Sequence, residues 1–120
     1  MKKYNISLII ILLCALTSCV QKSSMKTITV RLNVAGIKDI QTVGIRGSER
    51  PLSWREDIEL KPIKKDSLYE ATFSLLTGYK FTEVKFSLNG ELELQDKDNR
   101  RIIFSEKDTT VYEAKFEIIK

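Results

Sequence analysis

Apolar and polar residues alternate along most of the chain after residue 26, and this period of two constrains the fold more than any other feature. The stretch TITVRLNVAG places Ile28, Val30, Leu32 and Val34 on one face, with polar residues between them. Successive side chains of an extended strand point to opposite faces, so this segment is predicted to be a strand with one buried face.

The same alternation returns in five later stretches. The residues expected to point inwards are Val43 and Ile45; Tyr69, Ala71 and Phe73, or their neighbours; Val84, Phe86 and Leu88; Leu92 and Leu94; and Tyr112, Ala114, Phe116 and Ile118. RIIF is a short apolar run without alternation. After residue 19 no window of eleven or more residues carries a helical stripe, although DIELKPIKKD allows a helical turn that Pro62 would end. Both residues of Asn89-Gly90 tolerate the positive φ of a type I′ hairpin turn. The sequence predicts an all-β, antiparallel, immunoglobulin-like sandwich of about seven to eight short strands.

The first nineteen residues predict export. MKKYNISLIIILLCALTSC has two lysines, an apolar run and small residues before Cys19, in the order of a secretory signal. Its end, LTSC, resembles the lipobox of bacterial lipoproteins, which implies that Cys19 carries diacylglycerol and becomes the mature N-terminus. We therefore divide the chain into a signal peptide (1–18), a lipidated cysteine and tether (19–25) and the sandwich domain (26–120). The alternatives are a secreted protein with an incidental cysteine and an uncleaved membrane anchor.

These assignments place the protein in the cell envelope, attached to a membrane through the lipid on Cys19. Val20 follows the cysteine, where an aspartate is associated with inner-membrane retention in some enteric bacteria. The outer membrane is therefore favoured over the inner one.

The composition excludes several kinds of function. The chain has no histidine, and its two cysteines are Cys14, in the segment that is removed, and Cys19. The usual zinc and copper ligands and the Ser-His-Asp and Cys-His triads are therefore missing, and no metal or other cofactor is predicted. Two carboxylates can still hydrolyse a glycoside, but a domain of about a hundred residues seldom forms a deep cleft, so no catalytic residue is predicted.

The charge does not indicate a nucleic-acid partner. Removal of residues 1–18 takes away Lys2 and Lys3 and lowers the formal charge from +4 to +2. The remaining basic residues are interleaved with acids, and no basic run with regular aromatics occurs, so nucleic-acid binding is not expected.

Three stretches, taken together, resemble the starch-binding domains of carbohydrate-binding module family 20. In VGIRGSERPLSW a strand ends in Gly-Ser and a loop leads to a leucine and a tryptophan, and SLYEATFSL contains a strand that begins with an aromatic. TEVKFSLNGELELQDKDNRR joins a Lys-Phe strand through a hairpin to an acid-rich stretch that ends in Asn-Arg. The resemblance covers Val43 to about Phe104. It implies non-catalytic binding of an oligosaccharide or polysaccharide of the starch or α-glucan type.

The resemblance also implies roles for four residues. Trp54 would stack on a glucose ring, Lys85 and Asn99 would hydrogen-bond its hydroxyls, and Tyr69 would lie at or near a second sugar site. An indole covers the apolar face of a pyranose, and amine and amide groups bind its hydroxyls. Each residue also has a structural interpretation: a lid over the sandwich for Trp54, a solvated strand position for Lys85, a turn cap for Asn99 and a core position for Tyr69.

The sequence is also compatible with a second function. The family has a second tryptophan in the stretch before its final Asn-Arg, and this chain has Leu94 there. The alternative to glycan binding is therefore a protein-interaction or structural lipoprotein that kept the sandwich, lost the sugar site and has an envelope protein as its partner.

Overall fold

The computed structural model describes residues 22–118 as two facing β-sheets. The nine strands are β1 (Ser24–Asn33), β2 (Val43–Gly47), β3 (Ile58–Glu59), β4 (Lys61–Lys64), β5 (Leu68–Thr77), β6 (Phe81–Leu88), β7 (Glu91–Leu92), β8 (Arg100–Ile103) and β9 (Thr109–Lys115). The predicted all-β sandwich is confirmed, and β1 begins two residues before the predicted start of the domain at residue 26. The predicted signal peptide and Cys19 lie outside the described residues. Between residues 22 and 118 we find no helix that is long and apolar enough to cross a membrane.

The first sheet has the strand order β4-β5-β1-β9, and the second has the order β3-β2-β6-β7, with β8 also paired to β6. The pairing of β1 with β9 is parallel, and the other pairs are antiparallel. Parallel neighbours need a long connection, and here the whole chain between β1 and β9 supplies it. The structure thus has one parallel pair and nine strands, where seven to eight antiparallel strands were expected.

The core lies between the sheets and consists mainly of the residues that the alternation selected. Ile28, Val30 and Leu32 of β1 are fully buried, as are Val84 and Phe86 of β6. Val34, Val43, Ile45, Tyr69 and Phe73 belong to the same cluster, and Ala71, Leu88, Tyr112, Ala114 and Phe116 pack against it while partly exposed. Burial of this apolar surface is the main favourable term for a chain of this size.

Two stretches and one residue differ from the sequence prediction. The residue is Ile118, which is 45% exposed where an inward position was expected. DIELKPIKKD forms β3 and β4, with Leu60 buried between them, and contains no helical turn. GELEL is a strand only over β7, because Leu94 has a positive φ of 53°, which ends the extended backbone. RIIF, which reads as a continuous apolar run, alternates in the structure: Ile102 and Phe104 point inwards, whereas Ile103 is 70% exposed.

Candidate functional site

Charged side chains occupy the outer side of the second sheet, in positions that alternate with its buried residues. Arg46 of β2 lies opposite Lys85 of β6, and Glu83 of β6 lies opposite Arg101 of β8. We call these four residues the charged face. Residues opposite each other in antiparallel strands share a side of the sheet, with Cβ atoms about 5 Å apart, so strand pairing alone brings the four together.

Trp54 lies at one edge of the charged face. The loop 48–57 runs beside β2, because the amide of Gly47 donates to the carbonyl of Ser53 at 3.3 Å and Leu52 is buried. Arg46 binds this loop twice, through its Nε to Asp57 Oδ1 at 2.7 Å and through its Nη1 to the carbonyl of Trp54 at 3.4 Å. The tryptophan is 37% exposed, so part of the side chain is open to solvent.

Gly44 allows this arrangement of the loop. A Cβ at residue 44 would lie 2.6 Å from Cγ of Asp57 and 2.7 Å from Oγ of Ser87. Only a residue without a side chain leaves space for the Asp57 carboxylate beside β2, where that carboxylate pairs with Arg46.

Lys85 fixes the backbone at the other side of the charged face. Its ammonium donates to the carbonyls of Leu94 at 2.8 Å and Lys97 at 2.9 Å. These bonds attach the segment that follows β7 to the middle of β6. An ammonium has three N–H groups, so one donor remains for a ligand, and the main role of Lys85 in this structure is to position its neighbours.

Asn99 lies in a cleft next to Lys85. Its Nδ2 donates to Oε2 of Glu83 at 3.0 Å, and Arg101 lies 3.5 Å from the other oxygen of the same carboxylate. The cleft has a volume of about 580 Å³ and is lined by Glu83, Lys97, Asp98, Asn99 and Arg101. We call it the polar cleft. Its walls offer carboxylate acceptors, guanidinium and ammonium donors, and an amide that does both.

Tyr69 is not part of this surface. It belongs to β5 in the first sheet, is 8% exposed, and its hydroxyl accepts a hydrogen bond from the amide of Asp66 at 3.3 Å. Its ring packs in the core, because the inward positions of β5 include residue 69. This agrees with the structural interpretation of Tyr69, a core position, and a role at or near a second sugar site stays a prediction.

Arg100 and Glu93 form a buried ion pair next to the residues that line the polar cleft. The sequence analysis did not identify this pair. Arg100 donates to both carboxylate oxygens of Glu93, at 2.6 and 2.8 Å, and to the carbonyl of Lys115 at 2.7 Å. The same carboxylate accepts the amides of Phe86 at 2.8 Å and Glu117 at 2.9 Å. The pair thus ties the segment between β7 and β8 to β6 and to the end of β9.

The groups around Arg100 favour its protonated, charged form. Burial lowers the pKa of Arg100, but its hydrogen bonds to the Glu93 carboxylate and the nearby Tyr112 more than offset this, and the pKa of Arg100 lies above its ordinary value. Leu94, the next residue after Glu93, is 4% exposed. It therefore offers no surface for stacking where the resemblance has a second tryptophan.

Neither the protein-family models nor the curated proteins include a match to this sequence. The likeness to starch-binding domains therefore remains a hypothesis. Residues 22–118 bring together no group of three or more Asp, Glu, Cys or His side chains that could hold a metal ion.

Proposed function

We propose that this protein is a glycan-binding module without catalytic activity, held to a membrane of the cell envelope by a lipid on Cys19. The observation that carries the proposal is the polar cleft, which lies on the same side of the sheet as Arg46 and the neighbouring Trp54. The volume of the cleft falls within the range of about 300–1,000 Å³ of small-ligand sites, but its lining is polar throughout, whereas such sites are mostly apolar, so the apolar contact has to come from Trp54.

The chemistry of the cleft suits a sugar. Each pyranose hydroxyl both donates and accepts, and the cleft offers Glu83 as acceptor, Arg101 as donor and Asn99 as either. Several of these groups already bind one another, so their positions are fixed before a ligand arrives, which lowers the entropy lost on binding.

Trp54 supplies the apolar contact that a sugar ring needs. Arg46 and Lys85 separate its loop from the polar cleft. A ligand that reaches both therefore has several rings, which favours an oligosaccharide or polysaccharide over a single sugar. The starch-binding resemblance makes an α-glucan the first candidate.

Calorimetric titration with maltoheptaose, β-cyclodextrin and a panel of other oligosaccharides tests this proposal. Asn99→Ala removes one neutral hydrogen-bonding group, worth about 0.5–1.5 kcal/mol, so we expect the Kd to rise about 2- to 10-fold. Trp54→Ala is expected to weaken binding as well. The matched control is Asn33→Ala, which changes the same residue type at the end of β1 in the first sheet, outside the polar cleft, and is expected to leave the Kd unchanged. If no glycan in the panel releases or absorbs heat, the proposal is wrong.

One observation favours the second candidate, a protein partner. Among residues 22–118, β9 pairs along its length with β1 and with no other strand, and Val111 in its centre is 56% exposed. An open strand edge can accept an additional strand from another protein. A photo-crosslinker at residue 111 tests this function. Capture of one envelope protein, with no heat of binding in the glycan titrations, would favour a protein partner over a glycan.

A further inference from the structure

Exposed apolar side chains gather at one end of the sandwich. Met25 lies opposite Leu76 in the β1–β5 pair, Phe81 lies opposite Ile103 in the β6–β8 pair, and Tyr79 lies in the loop between β5 and β6. They are 36–70% exposed and make up five of the nine large apolar residues that are exposed in residues 22–118. We call this end, where β1 begins, the N-terminal pole.

The five side chains surround the N-terminal pole. Met25 and Leu76 lie on the outer side of the first sheet, Phe81 and Ile103 lie on the outer side of the second, and the loop with Tyr79 joins the two sheets. Each of the four strand residues is the first or second residue from a strand end. A strand rises about 3.3 Å per residue, so all four lie within about 7 Å of the end of the sandwich.

Basic residues lie beside these five apolar side chains, which we call the apolar collar. Lys22, Lys80 and Lys107 are exposed, and Lys26 donates to the carbonyls of Ser105 and Lys107 at 3.3 and 3.1 Å. The acids at this end are Glu106 and Asp108 in the loop before β9, and Glu49 and Glu83, which lie beside Tyr79 and Phe81. Arg101 lies over the Phe81 ring, 4.0 Å from its centroid, so the basic residues exceed the acids by one, and attraction to anionic headgroups adds little to the apolar contact.

The predicted lipid is close to the N-terminal pole in the sequence. Cys19 precedes Ser24, the first residue of β1, by five residues. Five residues span at most about 18 Å in any conformation. A lipid on Cys19 therefore keeps this pole, rather than the opposite one with the Asn89-Gly90 turn, near the bilayer.

We propose that the N-terminal pole docks on the lipid bilayer, with Met25, Leu76, Tyr79, Phe81 and Ile103 inserted among the headgroups. The proposal rests on the lipid at Cys19, which is part of the proposed function. Interfacial elements bury their apolar residues about 5–10 Å into the boundary between headgroups and acyl chains, a depth that matches the height of the collar. Aromatic side chains such as Tyr79 are common at this depth. The polar cleft then opens sideways, just above the membrane surface.

Depth-dependent quenching of tryptophan fluorescence tests the docking. The lipid-modified protein is reconstituted into vesicles of phosphatidylethanolamine and phosphatidylglycerol that contain a headgroup spin label. In a Trp54→Phe background, the probe is Tyr79→Trp, and the matched control is Ile63→Trp, which is also at an exposed apolar position, 56% exposed, but at the opposite pole. We expect the label to quench about half of the emission from position 79 and little from position 63, since insertion reaches only about 5–10 Å.

A second pair of variants tests whether the collar itself causes the docking. Leu76→Glu, added to the Tyr79→Trp protein, places a charge in the collar and is expected to remove most of the quenching, whereas Ile63→Glu is expected to leave it unchanged. Equal quenching at positions 79 and 63 in lipid-bound protein would overturn the docking proposal alone. Protein that carries no lipid and does not bind the vesicles would overturn the membrane anchoring and, with it, the docking. If the quenching supports docking but no glycan gives a heat of binding in the calorimetric titrations, only the glycan proposal is refuted.

Discussion

At the scale of single residues, the Glu93 and Arg100 pair does the most to fix the shape of the candidate site. The Glu93 carboxylate accepts four hydrogen bonds, two from Arg100 and two from backbone amides. Both side chains are buried. A buried ion pair gives little net stability over apolar residues of the same shape, but the loss of one partner leaves a buried charge without compensation.

We therefore expect Glu93→Ala to lower the free energy of unfolding by about 3–5 kcal/mol. The matched control is Glu91→Ala, two residues away and exposed, for which we expect a change within about 0.5 kcal/mol. Urea unfolding followed by circular dichroism measures both. A loss of less than about 1 kcal/mol for Glu93→Ala would mean that water or a rearranged backbone satisfies Arg100.

At the scale of strands and turns, the hairpin between β6 and β7 forms as its sequence predicts. Asn89 and Gly90 have φ values of 53° and 83°, the positive values expected for this turn. The side chain of Asn89 also accepts the amides of Gln41 at 2.7 Å and Thr42 at 3.0 Å. The turn therefore holds the segment before β2 as well as joining β6 to β7.

Gly90→Ala tests the backbone requirement of this turn without a steric effect. A Cβ at residue 90 would meet no atom within 4 Å, so any destabilisation comes from the positive φ. We expect a loss of about 1 kcal/mol in the free energy of unfolding. Gly36→Ala is a parallel test of the same effect, because Gly36 has a φ of 88° and an equally open Cβ position. We expect a similar loss in the free energy of unfolding. A loss at residue 36 with none at residue 90 would contradict the role assigned to this turn.

Strands were predictable because alternation is a local property. Ile28, Val30 and Leu32 of β1 and Val84 and Phe86 of β6 were identified from their neighbours in sequence, and the structure buries them, whereas the buried Thr82 of β6 was not identified. The site was less predictable, because its geometry depends on contacts between distant segments. The bonds from Lys85 to the carbonyls of Leu94 and Lys97 form only when the segment after β7 folds back over β6. Alternation placed Leu92 and Leu94 inwards without indicating that Glu93 is buried as well, with Arg100 as its partner.

At the scale of the whole molecule, the two ends of the sandwich have different properties. The N-terminal pole carries the apolar collar and the lysines, whereas the opposite pole carries the Asn89-Gly90 turn, whose residues are exposed and polar. Such a division suits a domain that faces a membrane on one side and solvent on the other. The proposed orientation depends on the proposed lipid at Cys19, so this residue is the one to test.

Cys19→Ser is expected to abolish lipidation, because serine has no thiol to form the thioether. In cells that grow with a labelled fatty acid, the wild-type protein should carry the label and enter the detergent phase on phase separation. The Cys19→Ser protein should carry no label and stay in the aqueous phase or persist as a precursor. Cys14→Ser is the matched control: residue 14 lies in the segment predicted to be removed, so this variant should behave as the wild type. Label on Cys19→Ser, or a wild-type protein with none, would show that the lipobox assignment is wrong and would remove the basis for the membrane orientation.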